Sequence, residues 1–253
     1  MAGRETPQGI IQVRALTSHA DFGEAVDLQR IIWRFEELEL LPVRLFVTAT
    51  RVGGQAFGAF DGSKMVGFCL AIPAIGPGGK LYLHSHMLGV LKEYRDAGVG
   101  RLLKRAQRED ALSRGMDAIE WTFDPLEIKN AFFNIERLGG IVRRFVLNQY
   151  GATSSPLHGG LPTDRCVAEW WLRSARVEAA LAGKPPDHPA VAEQIAVPAA
   201  IETLKRTEPA QAREIQKRVS GEFLEHFAKD LAVVGFERTS DAGVYLLAPW
   251  ESE

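Results

Sequence analysis

The segment Leu88-Gly-Val-Leu-Lys-Glu-Tyr-Arg-Asp-Ala-Gly-Val-Gly-Arg101 is the sharpest chemical signal in the sequence. An apolar run ends at Val90, a short loop follows, and Arg95-x-x-Gly98-x-Gly100 opens a helical pattern. Glycine lets a backbone approach a ligand with no Cβ in the way. The first turn of a helix carries N–H groups without an intrahelical acceptor, and these attract an anion. A pyrophosphate is the natural occupant. The same glycines also suit an ordinary strand–loop–helix in which they permit tight packing. A dinucleotide fingerprint requires Gly-x-Gly-x-x-Gly directly after the strand; here the third position is Leu103 and the loop is too long.

A second cluster, His84-Ser-His86, lies just upstream. Histidine titrates near neutrality and can move a proton without a large perturbation. Residues two apart share a face on a regular strand, so the two imidazoles fall on one side. Proton transfer competes with burial against backbone or helix groups. Zinc is set aside because no third ligand stands at a sensible spacing, and no metal is expected. Cys69 and Cys166 sit far apart in apolar stretches, which fits a reducing cytoplasm better than a disulfide framework.

The elements that must position these groups follow from periodicity. Ile10–Leu16 reads as a strand, then Leu28, Ile31, Ile32 and Phe35 mark a helix, and Pro42–Val52 a second. Gln55–Phe60 and Lys64–Ala74 form a hairpin across Asp61-Gly62, and Leu81–Val90 is the next strand. The helix from Gly98 turns Val99, Leu102, Leu103 and Ala106 inward and Arg101, Lys104, Arg105 and Arg108 outward. After the strand Ala118–Phe123, Asp124 and Glu127 have capping-box spacing, with Ile128, Ala131, Phe132 and Ile135 as the buried stripe and Gly139 as the stop. Ile141–Leu147 and Cys166–Leu172 are further strands across a Gly/Ser/Pro-rich loop, and Trp170 and Trp171 alternate faces, so one belongs to the core. Asp164-Arg165 either holds a charged acceptor or forms a structural ion pair.

At 253 residues the chain suits one domain plus an appendage. Its 46% apolar and 25% charged residues exclude a disordered chain, and a net charge of −2 gives no basic field for nucleic acid or an anionic membrane. The longest apolar stretch, Met65–Ile75, is far short of the ~20 residues that span a bilayer, and no targeting segment is seen. Gly183–Pro189 reads as a linker. The expected division is therefore 10–178 as the main domain and 190–253 as a small C-terminal α/β appendage, which closes over an acceptor site or makes a homodimer contact.

Arg95-x-x-Gly98-x-Gly100 after a Leu-Gly-Val strand end resembles the pyrophosphate-binding motif of the GNAT superfamily of acyl-CoA-dependent N-acyltransferases. The element order from Ile10 to Leu147 is similar to that fold, and Ala131 with Glu136-Arg-Leu-Gly139 resembles its helix after the fifth strand. Within the superfamily the chain resembles a bacterial branch with a His-Ser-His-Met strand. The resemblance covers roughly residues 10–172. It implies an α/β fold whose mixed, mostly antiparallel central sheet is flanked by helices, with the fourth strand (Leu81–Val90) splayed from the fifth (Ala118–Phe123). It also implies acetyl-CoA or another short acyl-CoA as cosubstrate. Backbone groups around Leu88 and Val90 would pair with pantetheine. Backbone N–H groups of Arg95, Asp96, Ala97, Gly98, Val99 and Gly100, with Arg101, would hold the pyrophosphate, while Lys104, Arg105 and Arg108 read as a solvated face.

Counting back from Arg95, His84 occupies the place where many relatives carry a catalytic glutamate, with His86 the second candidate. The tyrosine that often protonates the leaving thiolate is matched by Ile135, so Tyr150 serves instead or CoA leaves as the thiolate. The implied activity is direct acyl transfer in a ternary complex, from acetyl-CoA to a small amine or amino acid. An amino-acid N-succinyltransferase and a non-catalytic CoA-binding sensor or interaction module are the alternatives.

Overall fold

The computed structural model describes residues 3–6, 9–151 and 159–250, which fall into two compact units dividing at residues 119 and 120. The first unit contains β1 (Gly3–Thr6), β2 (Gly9–Ala15), α1 (His19–Trp33), α2 (Val43–Arg51), β3 (Gln55–Asp61), β4 (Lys64–Ile75), β5 (Leu81–Val90) and α3 (Val99–Ser113). Its strands lie in the order β1-β2-β3-β4-β5, every pair antiparallel. The strand expected as the fourth is thus β5. Gly3–Thr6 carries no hydrophobic alternation and joins the sheet through its backbone pairing with β2.

Local signals explain where helices begin and end. Ser18 caps α1 in a reciprocal box: its Oγ accepts from the Asp21 amide at 3.0 Å, and the Ser18 amide donates to Asp21 Oδ2 at 3.3 Å. Asp21 also meets Arg14 at 2.7 Å, and that guanidinium holds its carboxyl far below the usual carboxylate range. Arg34 adopts a left-handed conformation with φ 55° and ends the helix. Three of the four residues expected to mark this helix lie within it, and Phe35 does not. Leu28 and Ile32 are buried, but Ile31 is exposed, and Phe35 lies beyond the cap, stacked on Trp33 with ring centroids 5.8 Å apart. Between α2 and β3, a Cβ on Gly54 would lie 2.4 Å from the Ala71 carbonyl oxygen, so glycine permits that turn to press onto β4.

The second unit holds β6 (Ala118–Phe123), which starts at the division, and α4 (Ile128–Phe132), which runs into a π-helical stretch over Phe133–Arg137. β7 (Ile141–Val146), β8 (Arg165–Trp171), α5 (Ala175–Leu181), β9 (Glu193–Pro198), α6 (Ile201–Thr207), α7 (Pro209–Phe227), β10 (Leu231–Arg238) and β11 (Ala242–Pro249) complete it. Its strand order is β6-β8-β7-β10-β11-β9, and the pairs from β8 to β9 are antiparallel. Residues 190–253 supply β9, α6, α7, β10 and β11 to this unit. β10 pairs with β7 at Val233 and Val142, and Phe223 of α7 stacks on Phe145 of β7 with centroids 5.0 Å apart. The Gly/Pro segment after α5 is tied down by Arg176, whose Nε donates to the Gly139 carbonyl at 3.1 Å and whose NH1 donates to the Asp187 carbonyl at 3.0 Å.

The capping box expected at Asp124 and Glu127 does not form. Asp124 Oδ1 accepts from the Leu126 amide at 2.8 Å, a tight turn that delays the helix until Ile128. Ala131 and Ile135 are buried as expected, Asn134 of the wider π turns is buried with them, and Ile128 and Phe132 are half-buried. Trp170 is the core member of its pair, with Nε1 donating to the Leu138 carbonyl, and Trp171 is exposed. Part of the Gly/Ser/Pro-rich loop before β8, residues 152–158, lies outside the described residues.

Candidate functional site

β5 carries a bulge where the chemistry is densest. Ser85 pairs with Ala71 and Met87 with Leu70, which leaves His86 as the extra residue. The bulge resets the strand's alternation. Ser85 meets α3, yet Gly89 four residues on lies against Trp33 of α1, where a Cβ would stand 2.6 Å from the indole. His84 and His86 therefore face away from α3, and their rings sit together with centroids 6.2 Å apart, tilted by 44°. The shared face expected of the two histidines is present. Burial pulls the His86 imidazole below its ordinary value, favouring the neutral, proton-accepting form.

Downstream, Lys92–Tyr94 form one short 3-10 turn, and the Tyr94 hydroxyl donates to Asp61 Oδ2 at 2.8 Å, anchoring the loop to the β3–β4 turn. Leu88 and Val90 pair with Cys69 and Gly67 of β4. The Val90 carbonyl also accepts from Arg95 Nε at 3.1 Å, so the Arg95 side chain braces the loop onto its own strand. Asp96 and Gly98 both take the left-handed conformation, with φ of 62° and 84°. For Gly98, the residue before the first turn of α3, that conformation favours glycine; Gly100 is helical. The amides of Ala97, Gly98, Val99 and Gly100 donate to no backbone carbonyl among the described residues. Val99 is buried beneath them, while Arg95 and Asp96 are exposed and Arg101 is half-buried. This donor set suits a pyrophosphate, with four adjacent amides and the positive end of a four-turn helix.

The basic face of α3 is corrected at Lys104. Arg105 is exposed and Arg108 half-buried, but Lys104 is buried, its Nζ donating to Ser85 Oγ at 2.9 Å. Ser85 donates on to Gln107 Oε1 at 3.0 Å. Gln55 Nε2 reaches both the Gln107 carbonyl, at 2.8 Å, and Asp110 Oδ2, at 2.7 Å. Sequence reasoning missed this chain. Its signal is a serine among alternating inward positions facing Lys104 and Gln107, which are one helical turn apart. Burial pulls the Lys104 amine down to about 7, against a smaller opposing effect of Cys69, and pushes the Cys69 thiol up to about 12.

In the second unit, Tyr150 is exposed, its hydroxyl 2.7 Å from Thr122 Oγ1 and its ring beneath the Arg165 guanidinium. Ile135, at the place of the resembled tyrosine, is fully buried. Asp164 is occupied internally: Oδ1 accepts from the Asn148 amide and Oδ2 from Ser220 Oγ at 2.6 Å, and Arg165 donates to the Asp164 carbonyl. A second missed cluster surrounds the buried Lys205, with Glu202 at 3.1 Å, Glu127 at 3.3 Å and Asp124 at 3.4 Å. Among the described residues no group of three His, Cys, Asp or Glu could hold a metal ion, and no helix is long and apolar enough to cross a membrane.

Residues 23–139 match the profile of the Acetyltransferase (GNAT) family. No curated protein matches the sequence. Among solved structures, smu.2055 from Streptococcus mutans UA159 superposes with a TM-score of 0.53 at 15% identity, over 64% of this chain and 99% of that one. A putative GNAT-family acetyltransferase from Desulfovibrio desulfuricans gives 0.51 at 14% identity, over 64% and 99%. NAA60 from Arabidopsis thaliana, solved with a bisubstrate analogue, gives 0.51 at 15% identity, over 64% and 97%. At these identities the structures establish the fold they share with this chain: α/β, with a mostly antiparallel central sheet flanked by helices.

Proposed function

From the match of residues 23–139 to the Acetyltransferase (GNAT) family, we propose that this chain is an N-acyltransferase acting on a small amine or amino acid. The acyl group is acetyl or another short acyl, carried as its CoA thioester. The observation that carries the proposal is the left-handed Gly98, set among four adjacent amides that donate to no described backbone carbonyl, in the loop and first helical turn that follow the strand bearing His84 and His86. The amides of Ala97–Gly100 and the Arg101 side chain bind the pyrophosphate. The acceptor nitrogen attacks the thioester carbonyl: an N–C bond forms, the C–S bond breaks, and the amine gives up a proton. His84 takes that proton, and His86, kept neutral by burial, is the second base. The Tyr150 hydroxyl has Thr122 as a partner, and CoA departs as the thiolate unless Tyr150 protonates it. A cytoplasmic setting and a homodimer belong to the same proposal.

The test is thiol release from acetyl-CoA and from succinyl-CoA over a panel of amines and amino acids. Release that depends on an amine is the expected result, and the donor preference separates acetyl from succinyl transfer. His84→Gln lowers turnover roughly ten- to a thousandfold while CoA still binds, and the defect shrinks as pH rises and the amine deprotonates unaided. Gly98→Val abolishes CoA binding, because a β-branched residue cannot take φ 84° without strain. CoA binding with no release from any amine would replace the enzyme by a CoA-binding sensor or interaction module.

A further inference from the structure

We propose that Lys104 is a positioning residue: through Ser85 it locks the register of the bulged strand, so that His84 and His86 stay together on the face away from α3. The roles of the two histidines rest on the function proposed above; the register lock does not. Ser85 is 4% exposed and stands between the histidines, on the opposite face. Its hydroxyl uses both of its capacities on α3, accepting from Lys104 and donating to Gln107. Gln107 is itself buried and tied through its carbonyl to Gln55 of β3, so the polar chain joins two strands to one helix.

The apolar pattern of β5 does not by itself place the bulge. Leu83 is buried, but Met87 and Leu88 are both half-buried, and Gly89 has no side chain to sort between faces. Moving the extra residue two positions upstream would turn Ser85 away from α3 and His86 toward it, parting the two histidines. The shift would take the Ser85 hydroxyl away from Lys104 Nζ and Gln107 Oε1, and a hydrogen bond lost between buried polar groups is costly. The hydrogen bonds thus penalise the wrong register where hydrophobicity does not. Burial already holds the Lys104 amine near neutrality, which eases its place in the core.

The experiment compares Lys104→Met, Ser85→Ala and Ser85→Thr in the full chain, with histidine-selective NMR, acyl-CoA affinity and turnover as readouts. In Lys104→Met and Ser85→Ala, the His84 and His86 ring resonances shift or double. Turnover falls roughly tenfold, as small misplacements of reacting groups do, while acyl-CoA Kd changes by less than about twofold, a fraction of a kcal/mol. Ser85→Thr keeps a hydroxyl on a residue suited to a strand and restores both. Ser85→Ala removes one oxygen and keeps the proposal testable if Lys104→Met does not fold. Unchanged histidine resonances in folded Ser85→Ala overturn the proposal, and so does a turnover loss that Ser85→Thr fails to rescue. A wild-type protein without thiol release overturns the functional reading alone, and the NMR comparison still decides the register lock.

Discussion

Lys104 of α3 and Lys205 of α6 are 3% and 5% exposed, yet their surroundings drive their amines in opposite directions. Lys104 meets the Ser85 hydroxyl beside a buried thiol, and burial brings its amine down to about 7. Lys205 pays the same desolvation, but Asp124, Glu127 and Glu202 outweigh it and raise the amine above its ordinary value. The first unit thus holds a lysine whose proton is loosened toward neutral pH, and the second holds one whose proton is tightened. Equal burial does not mean equal charge; the neighbours decide.

The largest effect that can break this contrast is at Lys205. Lys205→Met leaves three carboxylates facing one another, and we expect about 3 kcal/mol of destabilisation at pH 8, in line with removing one partner of a buried ion pair. The loss shrinks at pH 5, where Glu127, raised to about 7, takes up its proton; urea unfolding at the two pH values measures both. A loss that does not depend on pH would mean that the lysine acts through packing.

Next is the pH dependence at Lys104. Its folded value of about 7 lies below the ordinary 10.5, so between these limits the unfolded chain holds more of the proton and stability rises with pH. The raised Cys69 thiol works in the opposite sense above pH 9, so the clean window is pH 7 to 9. Across it, wild-type stability should gain on the order of 2 kcal/mol that Lys104→Met does not show. Parallel curves for the two proteins would erase the distinction between the lysines.

The smallest effect sharpens the comparison from the carboxylate side. Burial first, then the negative Glu202 and Asp124, raise Glu127 to about 7, while Lys205 opposes them. A carboxyl with a raised folded value favours stability at low pH and loses that advantage as pH rises from 4.5 toward 7. The Glu127 side chain is 37% exposed, so solvent screening limits the effect to less than about 1 kcal/mol. Glu127→Gln should flatten this slope, and denaturation from pH 4.5 to 7 would detect it.

Which of these features could be read from sequence follows from how local their causes are. The Gly98 turn, the Asp61-Gly62 hairpin and the paired faces of His84 and His86 depend on neighbouring residues, and all appear in the structure. Phe35 falls outside α1 because a helical period says nothing of the left-handed Arg34 that ends the helix before it. In the stripe after β6, Ala131 and Ile135 are buried as the period predicts, and Asn134 is buried as well inside π turns that are not visible in a 3.6-residue pattern. Lys104 and Lys205 were missed for a different reason. A lysine on a helix reads as solvated unless its partners are known, and Ser85 and Asp124 lie 19 and 81 residues away.

The pairing of β10 with β7 has a consequence for the order in which the protein is made. Every strand of the first unit has emerged by Val90, so residues 3–119 can complete their sheet while the ribosome is still translating the rest. β7 gains β8 soon after synthesis, but its other edge waits for Val233, roughly ninety residues after Val142. At about 5–20 residues per second, that edge stays open for about 5–20 s on the nascent chain. An unpaired strand edge is where two chains can join wrongly, so β7 is the element that a trigger of misassembly, or a chaperone guarding against it, would meet first.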